Sequence, residues 1–207
     1  MIGEIDKFYT DKGFLVIGAD EAGRGPLCGP VVTAAVSLFS EIPGVNDSKK
    51  LSEKKRIELV PQIIHNSFWA VYSVLPKVID EMNILRASLF GMSLCAKRIL
   101  RKTEQKCIVM IDGNHVTGQF ENEIAVVKGD AKSMNIAAAS ILAKTYRDRI
   151  MDKWDKIYPE YHLSSHKGYP TAEHYEILKK IGPCEIYRKS FKLVKEEEAE
   201  QLSIFSV

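Results

Sequence analysis

Apolar residues gather along this chain in runs of two kinds. Phe14 to Ile17 and Val31 to Leu38 are short and rich in β-branched residues, which predicts strands over about 14–20 and 30–39. Ser67 to Leu75, with Trp69, Val71 and Val74, predicts a third. Pro26, Pro30 and the glycines between the first two runs make that join a turn, not a helix start. Three strands in succession, with a join of hairpin length, predict an antiparallel meander. Before the third strand, Ser52 is placed to cap a helix over about 53–65, which Pro61 can shorten or kink.

The pattern then changes. From Asp80 to Lys102 apolar residues recur at helical spacing (Ile84, Leu85, Leu89, Met92, Cys95, Ile99), predicting one long amphipathic helix. Cys107 to Ile111 and Ile124 to Val127 are continuous apolar runs of the kind found in buried parallel strands. Ser133 to about Tyr158 predicts a second long helix, its alanine-rich first half packed on the sheet and its charged second half more exposed. Residues 1–13 read as a polar lead-in and His162 to Pro170 as a loop. Thr171 caps a helix over about 172–181 that Gly182-Pro183 stops, and a last helix is expected over Phe191 to Glu200. The sum is an α/β fold: a mixed five-stranded sheet flanked by helices, with a C-terminal helical extension. Residues 1–191 form one domain and 192–207 a terminal helix and tail.

Composition narrows the setting. With 207 residues, 45% of them hydrophobic and 27% charged, the chain suits one domain with a real core. A net charge of +2 means that any nucleic-acid face is local. Cys28, Cys95, Cys107 and Cys184 form no C-x-x-C pair and sit among apolar neighbours, as buried thiols of a reducing compartment do. No apolar stretch is long enough to span a membrane, and the N-terminus lacks a signal-peptide pattern, so a cytoplasmic monomer with no membrane partner is expected.

The candidate chemistry lies at strand ends. Asp20 and Glu21 end the first run, Asp112 precedes Gly113, and Asp130 follows Gly129. The carboxyl ends of strands are where α/β sheets place their sites. Successive strand residues point to opposite faces, so Asp20 and Glu21 share one site only if the strand ends or kinks there. A bare acid pair reads equally well as a solvated hairpin. Four carboxylates converging on one point require cations, and an all-oxygen set suits Mg²⁺ or Mn²⁺. Two such ions about 4 Å apart serve in-line phosphodiester displacement, one acting on the attacking water and the other on the leaving 3′ oxygen. Arg24, between Gly23 and Gly25, sits where backbone N–H groups can closely approach a phosphate or a sugar. Lys49, Lys50, Lys128, Lys132, Lys144 and Lys167 are positioned in sequence to meet phosphates, though each alone also reads as a solvated surface lysine.

Six motifs in order carry a resemblance. They are Asp20-Glu21-Ala22-Gly23-Arg24-Gly25-Pro26-Leu27, Asp47-Ser48-Lys49-Lys50-Leu51, Ile111-Asp112-Gly113-Asn114, Val127-Lys128-Gly129-Asp130, Ala138-Ala139-Ser140-Ile141-Leu142-Ala143-Lys144 and His166-Lys167-Gly168-Tyr169-Pro170-Thr171. Together they cover roughly residues 14–191, and the chain resembles ribonuclease HII, the type 2 ribonuclease H. The resemblance implies a ribonuclease-H-like sheet and hydrolysis of RNA in RNA–DNA hybrids. It also implies nicking 5′ to single ribonucleotides embedded in duplex DNA, leaving a 3′-hydroxyl and a 5′-phosphate. It assigns catalysis and metal binding to Asp20, Glu21, Asp112 and Asp130, with two Mn²⁺ or Mg²⁺ ions. Gly23, Arg24 and Gly25 would grip the ribonucleotide's phosphates and 2′-hydroxyl, Tyr169 would stack on the following deoxyribose, and Lys49 and Lys144 would meet the substrate. Only the 2′-hydroxyl separates RNA from DNA at one nucleotide, so a rigid turn is a sound reader.

Other readings fare worse. Gly23-x-Gly25 with Gly29 has the wrong spacing for a dinucleotide fingerprint, and prolines stand where its helix would begin. His162 and His166 lack the further ligands of a zinc set. A catalytically inactive nucleic-acid-binding module of the same fold would have lost one of the four acids, and all four are present. In the tail, Gln201-Leu202-Ser203-Ile204-Phe205 resembles the bacterial sliding-clamp-binding peptide, Gln201 supplying polar contacts and Leu202, Ile204 and Phe205 apolar anchors. Such a contact would tie the enzyme to replicating or repaired DNA.

Overall fold

A computed structural model describes residues 2–194. Its sheet has the order β3-β2-β1-β4-β5. The strands are β1 (Leu15–Ala22), β2 (Val31–Leu38), β3 (Ser67–Val74), β4 (Cys107–Asp112) and β5 (Glu123–Val126). β1, β2 and β3 form the expected antiparallel meander. β4 pairs parallel to β1, and β5 parallel to β4.

Both faces of the sheet are covered. On one face lies α5 (Met134–Asp155), whose Ala137, Ala138, Ala139, Ile141 and Leu142 pack with Ala34 and Val36 of β2 and with α2 (Glu53–His65). Small side chains let this helix approach closely: a Cβ added at Gly18 of β1 would lie 2.3 Å from the Ile136 nitrogen. On the other face, Met92, Cys95, Ala96 and Ile99 of α4 (Ile84–Leu100) pack against Ile17, Ala19, Val109 and Ile111. A further cluster joins Leu27 and Cys28, after β1, to Met151, Leu163, Leu178 and Tyr187. It fastens the C-terminal helices α6 (Leu163–His166) and α7 (Ala172–Ile181) beside the turn that follows β1.

Several expectations are corrected. The lead-in contains a helix, α1 (Glu4–Thr10). Its Asp6 accepts hydrogen bonds from the Ser133 hydroxyl at 2.6 Å, the Met134 N–H at 2.6 Å and the Asn135 amide at 3.0 Å, so α1 caps the start of α5 from outside it. The helix expected over 80–102 is two, α3 (Pro76–Met82) and α4, broken at Asn83. Asn83 has φ 69° and accepts from the Arg86 N–H, so it caps α4. The second half of α5 is not simply exposed, because Arg147, Asp148 and Met151 are buried. The stretch 162–170 holds the short helix α6. Residues 191–194 are not helical, and the rest of the expected last helix and the 201–205 peptide lie outside the described residues. The four cysteines are free thiols, three of them buried and Cys184 half-buried. Among the described residues, no helix is long and apolar enough to cross a membrane.

Candidate active site

The parallel register sets the site. Ala19 pairs with Ile111, so Asp20 and Asp112, the next residues, end up side by side on adjacent strands. Asp112 in turn pairs with Val126, and the chain curls from there through Lys128 (φ 54°) into a 3-10 turn, Gly129–Ala131, that carries Asp130. The Gly129 N–H donates to Asp112 Oδ1 at 2.6 Å and locks this curl to β4. A Cβ at Gly129 would come within 2.6 Å of Ile136, so only glycine fits here.

Of the two expected arrangements, a strand end or a kink, the structure shows the first, with β1 ending one residue after Glu21. The two acids leave the strand on opposite faces. Asp20, buried, accepts from the Glu21 N–H at 2.7 Å, and the nearby Ser140 hydroxyl of α5 favours its charged form. Glu21 faces α4, lining a recess of about 230 Å³ with Leu85, Ser88, Leu89, Met92 and Asp112. Asp112 lies near enough to repel both acids, and this places the three in one electrostatic site.

That site is held against strong opposition. Burial, then Glu21 and Asp112, drives the Asp20 carboxyl well above the usual carboxylate range. Burial also raises Glu21, which Arg24 and Lys49 partly offset and Asp112 reinforces. Asp130 is raised by burial and by Asp47 and Asp112. Among the described residues, no three His, Cys, Asp or Glu side chains form a ready metal cage. Repulsion and competing bonds account for this, since Asp20 and Asp112 each spend an oxygen on a backbone N–H. The donor set is nevertheless all carboxylate oxygen, buried and short of positive charge, which fits a hard divalent cation.

The loop 46–50 supplies a further wall. Lys49 faces both Glu21 and Asp130. Asp47 lies near enough to raise the Asp130 carboxyl, and the Ser48 hydroxyl lies 2.8 Å from that of Ser140. Arg56 of α2 secures this loop, donating to the Ser48 and Leu51 carbonyls and to Asp148. Lys144 commits its ammonium to Asp148 at 2.7 Å, so its charge is already met within α5.

The turn after β1 is built as the sequence suggests. Gly23 has φ 99°, and a Cβ there would lie 2.0 Å from Arg147 Nε. Arg24 reaches Glu21 at 3.5 Å and is otherwise exposed. A Cβ at Gly25 would stand 3.7 Å from the Tyr169 ring, so the turn and Tyr169 are neighbours. Beneath Tyr169, His166 and His174 stack at 4.0 Å. His174 Nδ1 bonds the Tyr169 carbonyl at 2.9 Å, and its Nε2 meets the Tyr187 hydroxyl at 2.7 Å. Burial pushes its pKa down to about 4, so this support stays neutral. His166 Nε2 bonds the Tyr161 carbonyl and His162 bonds Glu173, which gives both histidines structural partners.

Sequence reading did not single out Asp47, Ser88, Ser140, Arg147 or Arg188 as functional. Asp47 and Ser140 stand inside motifs already quoted, which was the available signal. Ser88 carries none; its buried hydroxyl lacks a partner among the described residues and lines the recess beside Glu21.

Because the Asp20 carboxyl has a raised pKa in the folded state, it binds more protons folded than unfolded, and stability is lost as pH rises through the folded value. Asp20→Asn removes that penalty and keeps an oxygen for the Glu21 N–H. In metal-free protein at pH 8 it is expected to raise Tm by about 2–8 °C, read by differential scanning fluorimetry with chelator present. A lower Tm for the variant would contradict the electrostatic account.

The model of the family described as Ribonuclease HII matches residues 17–194. A Ribonuclease HII of Francisella tularensis subsp. tularensis (strain SCHU S4 / Schu 4) is 48% identical over 184 residues, covering 87% of this chain and 97% of the relative. Among solved structures, the RNase HII of a PCNA:RNase HII complex from Archaeoglobus fulgidus matches with a TM-score of 0.69 and 30% identity, covering 88% of this chain and 98% of that one. Ribonuclease H2 from Pyrococcus horikoshii OT3 matches with a TM-score of 0.67 and 29% identity, over 89% and 97% of the two chains. A family model matching residues 17–194 and a relative 48% identical over 87% of the chain show that the chain belongs to the ribonuclease HII family.

Proposed function

We propose that this ribonuclease H, besides hydrolysing the RNA strand of RNA–DNA hybrids, nicks duplex DNA on the 5′ side of a single embedded ribonucleotide. The observation that carries the proposal is the adjacency of three groups: the carboxylates at the ends of β1 and β4, the Gly23-Arg24-Gly25 turn that follows β1, and the Tyr169 ring against Gly25. A cutting centre and a reader of one sugar lie within a few residues of each other.

In this reading Asp20, Glu21, Asp112 and Asp130 hold Mg²⁺ or Mn²⁺. Two bound ions supply the activation of water and the stabilisation of the leaving 3′ oxygen. The protein does the rest by position. Arg24 and the N–H groups of its turn grip the phosphate and the 2′-hydroxyl. Tyr169, 40% exposed, offers a ring face on which the next sugar stacks. Lys49 brings positive charge between Glu21 and Asp130 and on to the incoming backbone. The nearby Ser140 hydroxyl favours the charged form of Asp20.

The test is cleavage of a duplex DNA carrying one ribonucleotide, with Mg²⁺ or Mn²⁺ added. The expected product is a nick 5′ to the ribonucleotide, with 3′-hydroxyl and 5′-phosphate ends, reduced at least about a thousandfold by Asp112→Asn. Binding without a nick would establish the inactive module instead.

The tail supports a partner as well. Gln201-Leu202-Ser203-Ile204-Phe205 has the clamp-peptide pattern, and the Archaeoglobus fulgidus relative was solved in complex with PCNA. Deleting residues 201–207 is expected to abolish capture by the bacterial clamp in a pull-down and to leave nicking of free duplex unchanged. Capture that survives the deletion would remove the tail from this role.

A further inference from the structure

Arg188 is fully buried, and its guanidinium is spent on main-chain carbonyls of the turn after β1. Nη2 donates to the Gly23 carbonyl at 2.6 Å, and Nη1 to the carbonyls of Arg24 at 2.9 Å and Pro26 at 2.8 Å. Nε donates to the Gly29 carbonyl at 2.9 Å. Its own N–H bonds the Leu27 carbonyl, and the Gly29 N–H bonds the Ile186 carbonyl, so the segment 186–188 is laced along the turn. Asp80 of α3 fastens the far side through the N–H groups of Lys189 and Ser190 and the Ser190 hydroxyl.

This arrangement dictates which way the turn's donors face. In a trans peptide the C=O and the following N–H are antiparallel. With the Gly23 and Arg24 carbonyls drawn inward to Arg188, the N–H groups of Arg24 and Gly25 are directed outward. Both of those residues are exposed, whereas Gly23 and Pro26 are buried. A Gly-Arg-Gly stretch left to itself samples many backbone states. Four hydrogen bonds from one planar fork select one of them before substrate arrives.

We infer that Arg188 is a positioning residue for ribonucleotide recognition, presetting the Arg24 and Gly25 N–H groups as the reader of the 2′-hydroxyl. This rests on the proposed reading of that turn. Nucleic acid never needs to touch Arg188, which acts only through the backbone it holds.

The experiment compares affinity for a duplex with one ribonucleotide and for the same duplex made wholly of DNA, in an Asp112→Asn background so that nothing is cut. The background protein is expected to prefer the ribonucleotide. Adding Arg188→Lys, which keeps the charge but loses the fork, is expected to cut that preference by about tenfold with all-DNA affinity unchanged. A merely structural role would lower Tm or weaken both affinities together. A folded Arg188→Lys protein that keeps the full preference overturns the inference. Should Arg188→Lys not fold, Asp80→Ala decides: loosening the 189–190 tether is expected to reduce the preference by about threefold, and no reduction overturns the inference. No preference in the background protein overturns the reading of the turn itself, a result distinct from failure of the variant.

Discussion

The repulsion between buried carboxylates at the ends of two parallel strands is the constraint on which the rest of this structure depends. Pairing of Ala19 with Ile111 leaves Asp20 beside Asp112, and a one-residue slip would turn one strand's core residues, Ile17 and Ala19 or Val109 and Ile111, away from α4. The hydrophobic pattern of the sheet therefore forces the acids together. Folding tolerates them because the scaffold is large and apolar, because the Glu21 N–H and the Gly129 N–H each satisfy one oxygen, and because the Ser140 hydroxyl favours the charged form of Asp20. Function exploits what folding tolerates, since a site that resists ionisation attracts a divalent cation.

Around that centre, three loops are held by buried polar groups. Arg56 with Asp148 anchors the loop of Asp47, Ser48 and Lys49. Arg188 holds the glycine turn, and Arg147 links that turn to the Tyr169 loop through the carbonyls of Pro30, Cys28 and Lys167. The stacked pair His166 and His174 supports Tyr169 from below. Each of these groups would be costly to bury alone. Each spends hydrogen bonds on carbonyls of a loop that carries site residues, so the polar interior doubles as the positioning apparatus.

Much of this was legible in the sequence. Strand type followed from β-branched runs, the mixed character of the sheet from the change to short continuous apolar strands, and the carboxylates from their place at strand ends. The failures share a physical cause: they depend on contacts distant in sequence. α1 is short and polar and exists because Asp6 meets Ser133 and Asn135. Arg147 and Arg188 were not singled out, because nothing nearby in sequence announces the carbonyls that bury them. The break at Asn83 was local and readable, since Asn tolerates positive φ and caps helices, but the apolar periodicity ran across it. Asp20 and Glu21 were expected to share a site only at a strand end or a kink, and β1 does end at Ala22, with Asp112 coupling the two acids electrostatically.

The central claim is that burial and mutual repulsion, by raising the Asp20, Glu21 and Asp130 carboxyls, couple cation binding to proton release. Calorimetric titration of Mn²⁺ into the protein, in buffers of differing ionisation enthalpy and at a series of pH values from the ordinary carboxylate range upward, tests it directly. With the folded pKa values of Asp20, Glu21 and Asp130 raised, ion binding should release protons, and affinity should climb with pH over that window. Binding that releases no protons and has a flat pH profile would mean that the acids are already ionised, and would contradict the account.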